Sequence, residues 1–463
     1  MRRNTLAIAL ITLALTACIS TGGEYHAPQP ELPAALESYG APIDVEGRAA
    51  SWWDRFEDPA LDALMAKALD QNLEIREALK RVEASRALRA GARQEWLPRG
   101  GVVASQEERR LSSLEAGGSP ERLESWSAGL AAGWEIDLFG RVRSATRAAD
   151  ARLGAEEAMA EEMRIVVAAD VARSWFSLRA SEARERMLER YREQQKEMVS
   201  ILETRFEEGF ADEADLERAR LLLAEDEAAV AATRHALRVE KHALAVLVGE
   251  MPGAWQPPLL GDQVSLAIEP IRLEEPADLI RHRPDVIAAE RQLAAATADV
   301  GVAKADYFPQ LRLDGFIGVL AGSSGDLGTS TSRSWLGGPT LTWSILDFGR
   351  VRARVRGERA EADGALARWS QTVLVAVEEI ENALSGLAAS QQSLAATDDQ
   401  VRHALRATEL VELRYEEGVS GYYEVLEARR SAIRAEMARI DAVAAHRAAT
   451  ADLLQAAGTR PRV

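Results

Sequence analysis

The sequence predicts a mainly α-helical protein with a β-barrel portion, an internally duplicated chain whose two copies each supply long helical hairpins and two β-strands. Three observations carry this. The first is a repeat: Trp134-Glu135-Ile136-Asp137-Leu138-Phe139-Gly140-Arg141-Val142-Arg143 returns 209 residues later as Trp343-Ser344-Ile345-Leu346-Asp347-Phe348-Gly349-Arg350-Val351-Arg352. Arg205-Phe206-Glu207-Glu208-Gly209 returns at the same offset as Arg414-Tyr415-Glu416-Glu417-Gly418, and Glu95-Trp96-Leu97-Pro98 returns at 211 as Asp306-Tyr307-Phe308-Pro309. Three motifs in one order at nearly one spacing mark a tandem duplication. The second observation is a pair of proline-free stretches, 141–208 and 350–417, rich in the helix formers Ala, Glu, Arg and Leu. The third is a period of two in the residues that precede each stretch.

Taken in order, Met1-Arg2-Arg3 and the apolar run from Leu6 to Leu15 are too short to span a bilayer and read as a signal peptide, residues 1–17. Leu15-Thr16-Ala17-Cys18 resembles the bacterial lipoprotein signal, in which the cysteine is acylated and becomes the first residue of the mature chain. Cys18 is the sole cysteine, so no intrachain disulfide forms. Ile19 follows it in place of the aspartate that resembles an inner-membrane retention signal, which points to the outer membrane. Residues 18–58 read as a lipid-anchored extended linker, punctuated by Pro28, Pro30, Pro33 and Pro42. The first repeat is assigned to 59–262 and the second, with the C-terminal tail, to 263–463.

Asp58 suits a helix N-cap and Pro59 a first helical position, so one helix is expected from there to about Trp96, ended by Pro98. Trp126, Ala128, Leu130, Ala132, Trp134 and Ile136 then alternate with small or polar residues, giving a strand whose partner covers Gly101 to Arg110. In the second copy Leu311, Leu313, Gly315, Ile317 and Val319 form one strand. Trp335, Gly337, Pro339, Leu341, Trp343 and Ile345 face one way in the next. The proline-free stretches follow as helices of roughly 100 Å each at about 1.5 Å per residue. Met187, Tyr191, Met198 and Leu202 supply a coiled-coil seam. Gly209 and Gly418 stop the long helices as left-handed C-caps. Shorter helices return over 213–248 and 423–457.

Charge and motifs exclude several functions. The net charge of −17 becomes −19 once residues 1–17 are removed, and an acidic surface with interspersed arginines argues against nucleic acid as a partner. No metalloprotease, nucleophile-elbow, phosphate-loop or dinucleotide motif is present, and the six histidines make no i,i+4 pair. No enzyme, cofactor or metal is expected.

Four strands with one apolar face do not close a barrel, and an open edge does not sit in lipid. Copies of the chain must pool strands: two give eight, filled by side chains, and three give twelve, enough for a lumen. Ser127, Gly129, Gly133, Gly338, Thr340 and Thr342 on the other face leave such a lumen open. Trp126, Trp134, Trp335 and Trp343 suit aromatic girdles. A soluble sheet on a coiled-coil periplasmic scaffold uses the same alternation, so that reading stays open.

Five motifs are spread along the chain: Trp52-Trp53-x-x-Phe56-x-Asp58-Pro59-x-Leu61, the two Phe-Gly junctions, Leu247-Val248-Gly249-x-x-Pro252-Gly253, Arg283-Pro284-Asp285-Val286 and the two Arg-(Phe/Tyr)-Glu-Glu-Gly tips. On these the chain resembles the TolC-like outer-membrane efflux channels, in the lipoprotein branch of OprM-like and NodT-like proteins. The resemblance implies a homotrimer with a 12-stranded barrel in outer-membrane lipid and an α-helical tunnel in the periplasm. It implies the exit duct of a tripartite efflux pump for drugs or toxic small molecules. The partners it implies are a periplasmic adaptor and an inner-membrane transporter of the resistance-nodulation-division type. A duct for a secreted polypeptide is the alternative within the class. Carried over residue by residue, Arg205, Gly209, Arg414 and Gly418 become adaptor-contact tips, and Tyr423, Glu427 and Arg430 line the periplasmic gate. The family has a leucine-type residue and an aspartate where this chain has Tyr423 and Glu427.

Overall fold

The computed structural model describes residues 25–29, 52–115, 117–118, 121–258 and 276–461. The expected signal peptide, Cys18 and most of the linker lie outside the described residues. The chain forms two compact units: 25–29, 80–157 and 288–371 in one; 52–79, 158–258, 276–287 and 372–461 in the other. Both halves of the sequence contribute to each unit.

The first unit holds one antiparallel sheet of β1 (Arg99–Leu111), β2 (Glu121–Ile136), β3 (Gln310–Ala321) and β4 (Arg333–Thr342), paired in that order. The register puts Val102 opposite Leu130, Leu130 opposite Ile317, and Ile317 opposite Trp335. One apolar row therefore crosses all four strands, and it is bare: Val102 is 81% and Trp335 80% exposed. Beyond a row of small residues, Gly100, Ala132, Gly315 and Gly337, the same face carries Trp134, Leu313 and Pro339, then Ile136, Leu311 and Leu341. On the opposite face Gly129 and Gly318 are partners. A Cβ on Gly129 would stand 2.5 Å from the Ile317 carbonyl oxygen, so the strands approach closer than any side chain permits. β4 stops at Thr342, short of the expected Ile345. Its partner β3 begins at Gln310, just after Pro309, so pairing runs out and Ile345–Asp347 closes a 3-10 turn instead.

Beside the sheet, Phe139 stacks on Phe308 with ring centroids 4.8 Å apart. Gly140 takes φ +84° and releases α3 (Arg141–Glu207), whose first amides are capped by Asp137. The second copy turns differently: α7 (Phe348–Glu416) already includes Phe348 and Gly349.

The expected single helix before the sheet is two, α1 (Pro59–Gln71) and α2 (Leu73–Gln94). Asn72 breaks it. Its backbone N–H closes α1 on Ala68, its Oδ1 accepts from Glu74 N at 2.9 Å and Ile75 N at 3.1 Å, and its Nδ2 donates to the Leu247 carbonyl at 2.9 Å. That carbonyl ends α4 (Glu213–Leu247), where Gly249 at φ +75° lets the backbone pass Gln71. Asp58 caps α1 as expected, with Pro59 at its start. Its second oxygen accepts Trp175 Nε1 at 2.7 Å, and Phe56 meets Phe176 at 4.7 Å. The tryptophan-rich motif is thus the aromatic plug that sets the start of α1 against α3.

Further on lie α5 (Pro276–His282), α6 (Pro284–Ala305) and α8 (Tyr422–Ala456). The seam of α3 is real: Met187 and Leu202 are buried, while Tyr191 and Met198 pack from its edges. Among the described residues no helix is long and apolar enough to cross a membrane.

Candidate functional site: the capped tips and the charges behind them

Both repeated tips close in the same way. Phe210 N donates to the Arg205 carbonyl at 2.7 Å and Gly209 N to Phe206 O at 3.0 Å, with Gly209 at φ +76°. In the second copy Val419 N donates to Arg414 O at 2.9 Å and Gly418 N to Tyr415 O at 3.0 Å, with Gly418 at φ +69°. This paired 6→1 and 5→2 bonding is the Schellman cap, and it accounts for the glycines. The two arginines give the caps only their carbonyls, so their side chains serve elsewhere. Arg205 Nη1 donates to the Tyr415 hydroxyl at 3.2 Å with its guanidinium 6.0 Å from the ring centroid, so the first tip grips the second. Arg414 points to solvent, as do both glycines. Asp212 then caps α4 through Ala214 N.

Behind the tips, Tyr422 and not Tyr423 is the packing residue. Tyr422 is 1% exposed, among Val199, Leu202, Leu216, Leu222, Val425 and Leu426, and its hydroxyl meets Gln195 Nε2 at 3.5 Å. Tyr423 is 56% exposed, with the Arg218 guanidinium 5.6 Å from its ring. Positions 422, 425 and 426 follow the i, i+3, i+4 rule, a signal in the sequence that separates the two tyrosines.

Glu427 is not a lone carboxylate. Arg430 Nη1 reaches it at 3.5 Å while Nη2 donates to Glu225 of α4 at 2.7 Å, so Arg430 ties α8 to α4. Beside Glu225 lies Asp226, buried, with Oδ2 lacking a hydrogen-bond partner among the described residues. Burial and the Glu225 charge push its carboxyl up to about 6, against the pull of Arg430. Nothing in the sequence pattern distinguishes Asp226 from the other carboxylates of α4. Arg429 makes the second tie, to Glu412 of α7 at 2.8 Å.

The arginine-proline motif is a separate node. Arg283 is nearly buried, donating to Asp285 at 2.8 Å, to Glu379 of α7 at 2.5 Å and to the Ala456 carbonyl at the end of α8 at 2.6 Å. It satisfies a helix C-terminus and joins three elements.

A strand set with a bare apolar face, carried with long hairpins that end in matched caps, defines a class: outer-membrane proteins that lend strands to a barrel and helices to a duct. Family comparison agrees. The model of the outer membrane efflux protein family matches residues 64–250 and 276–459. Outer membrane protein OprJ of Pseudomonas aeruginosa is 32% identical over 99% of this chain and 96% of its own. The toluene efflux pump outer membrane protein TtgI of Pseudomonas putida is 29% identical over 90% of this chain and 92% of its own. The solved outer-membrane channel OprN superposes with a TM-score of 0.88 at 33% identity, covering 94% of this chain and 98% of that one. The chain belongs to the outer membrane efflux protein family.

Proposed function

We propose that three copies of this chain assemble into the exit channel of a tripartite efflux pump, anchored by an acylated Cys18, with the duct passing small molecules to the exterior. The observation that carries this is the apolar row Val102–Leu130–Ile317–Trp335, exposed across a sheet whose outer strands β1 and β4 have no further partner among the described residues. Water disfavours that face, and lipid disfavours those edges unless copies join them. Each strand has ten or more residues, enough to cross the hydrocarbon layer at about 9–11. The duct performs no covalent chemistry. Residues 59–262 and 263–463 are its two repeats, and 1–17 its signal peptide.

The exposed tips around Arg205, Gly209, Arg414 and Gly418 meet the periplasmic adaptor, which links the duct to an inner-membrane transporter of the resistance-nodulation-division type. Tyr423, Glu427 and Arg430 form the resting gate. It is held by the Arg430 ties to Glu225 and Glu427, so opening requires α8 to leave α4. Planar-bilayer recording on the purified protein, with its mass measured in the same preparation, tests the reading. A trimer with discrete, small openings is expected. A monomer with no conductance and intact helicity would indicate a scaffold lipoprotein instead.

A further inference from the structure

Away from the tips, α3 and α8 enclose a groove of about 280 Å³. Its lining combines hydrocarbon from Phe176, Ile440 and Val443 with the side chains of Arg179, Arg186, Arg439 and Arg447. Four guanidinium groups lining one partly apolar groove stand out in a chain of net charge −17. Arg447 is buried, its guanidinium 5.6 Å from the Phe176 ring centroid. Burial lowers its proton affinity, and the like charge of Arg179 lowers it further against the field of Asp58. Asp58 is itself engaged by Trp175 and two backbone amides. Arg179 donates to Glu182 at 3.3 Å, and Arg439 to Asp398 of α7 at 2.6 Å. Arg186 is exposed. Four arginines against Glu182, Asp398 and Asp58 leave an excess of positive charge beside apolar side chains, the paired condition an anion with a hydrocarbon body satisfies.

We propose that this groove binds an amphiphilic organic anion, its acidic head on Arg186 and Arg439 and its hydrocarbon part on Phe176, Ile440 and Val443. The volume lies just below the ~300–1,000 Å³ usual for small-molecule sites, so the ligand is compact, a medium-chain carboxylate and not a two-chain lipid. The binding follows from this groove alone and does not depend on the gate or the adaptor.

The test is titration calorimetry of decanoate into the full-length protein in lipid nanodiscs, with empty nanodiscs as the blank. Saturable binding at one site per chain is expected. Arg186→Ala and Arg439→Ala should each weaken it about tenfold, the worth of one charge-assisted contact. Arg439→Lys should restore part of the loss. Neither acetate nor decanol should compete. Arg186 is exposed, so its variant carries the test should Arg439→Ala disturb the fold. Absence of binding above the blank, or affinity unchanged in Arg186→Ala, overturns the proposal. Equal binding by acetate reduces the groove to a simple anion site, and equal binding by decanol to an oily surface; either result also overturns it.

Discussion

Asp58 shows how much one side chain decides. One carboxylate oxygen caps α1 through Ala60 N and Leu61 N, and the other holds the indole of the fully buried Trp175. Asp58→Ala removes the cap and strands a buried N–H, and we expect it to cost about 2–4 kcal/mol in urea unfolding. Asp58→Asn keeps an oxygen to cap Ala60 N and Leu61 N but sets an amide NH2 against the buried Trp175 N–H, so it should cost nearly as much. At the tips, Gly209→Ala or Gly418→Ala forces a Cβ into the left-handed region, at about 1 kcal/mol each. The expected sign of that loss is faster limited proteolysis between Phe206 and Asp212, or between Tyr415 and Gly421, with the melting temperature little changed. The repeated glycines and the Asp58-Pro59 cap were legible because backbone conformation at these points is set by neighbours in sequence. The resemblance points to Tyr423, yet the buried ring is Tyr422, and only helix phase separates them.

At the scale of elements, helix starts and stops followed composition closely, except where a polar side chain found a distant partner. Asn72 is the example: its side chain leaves the helix to cap α2 and to end α4, 175 residues away. No periodicity in 59–96 announces that break. The Arg283 node is similar, since Glu379 and the Ala456 carbonyl reach it from α7 and α8. Facing this node from α3 is Glu162, which burial, Asp285 and Glu379 push up to about 7 while Arg283 pulls the other way. A carboxyl raised in the folded state binds its proton more tightly there than in the unfolded chain. Its contribution is therefore favourable below the ordinary glutamate range and is lost as pH rises towards 7. Urea unfolding should show stability falling between about pH 5 and pH 8 by on the order of 2–3 kcal/mol from this group. Glu162→Gln should flatten that slope; a slope unchanged in the variant would assign it to other groups.

For the whole molecule, the sheet is the part that makes sense only with other copies of the chain. Gly129→Val places a branched side chain against the Ile317 carbonyl and the Phe316 ring, and we expect it to abolish the detergent-stable trimer while leaving far-ultraviolet helicity intact. The gate makes the complementary prediction. Arg430→Ala cuts both ties to Glu225 and Glu427, so it should raise mean single-channel conductance and open probability several-fold, and Glu427→Ala should do so less. Conductance equal to that of the unsubstituted channel in both variants would remove Arg430 from the gate.

The sequence by itself determined the duplication, the four strands with their apolar face, the lengths of the two long helices and the glycine-capped tips. These depend on residues close along the chain, through periods of two and 3.6 and through backbone preference. Tertiary structure decided which copy touches which. It placed Arg205 on Tyr415, Arg430 on Glu225 and Asn72 on Leu247, and it left Asp226 buried without a partner for one oxygen among the described residues. Those pairings join residues up to 210 apart in sequence, and the desolvation and charge they create exist only once the helices have packed.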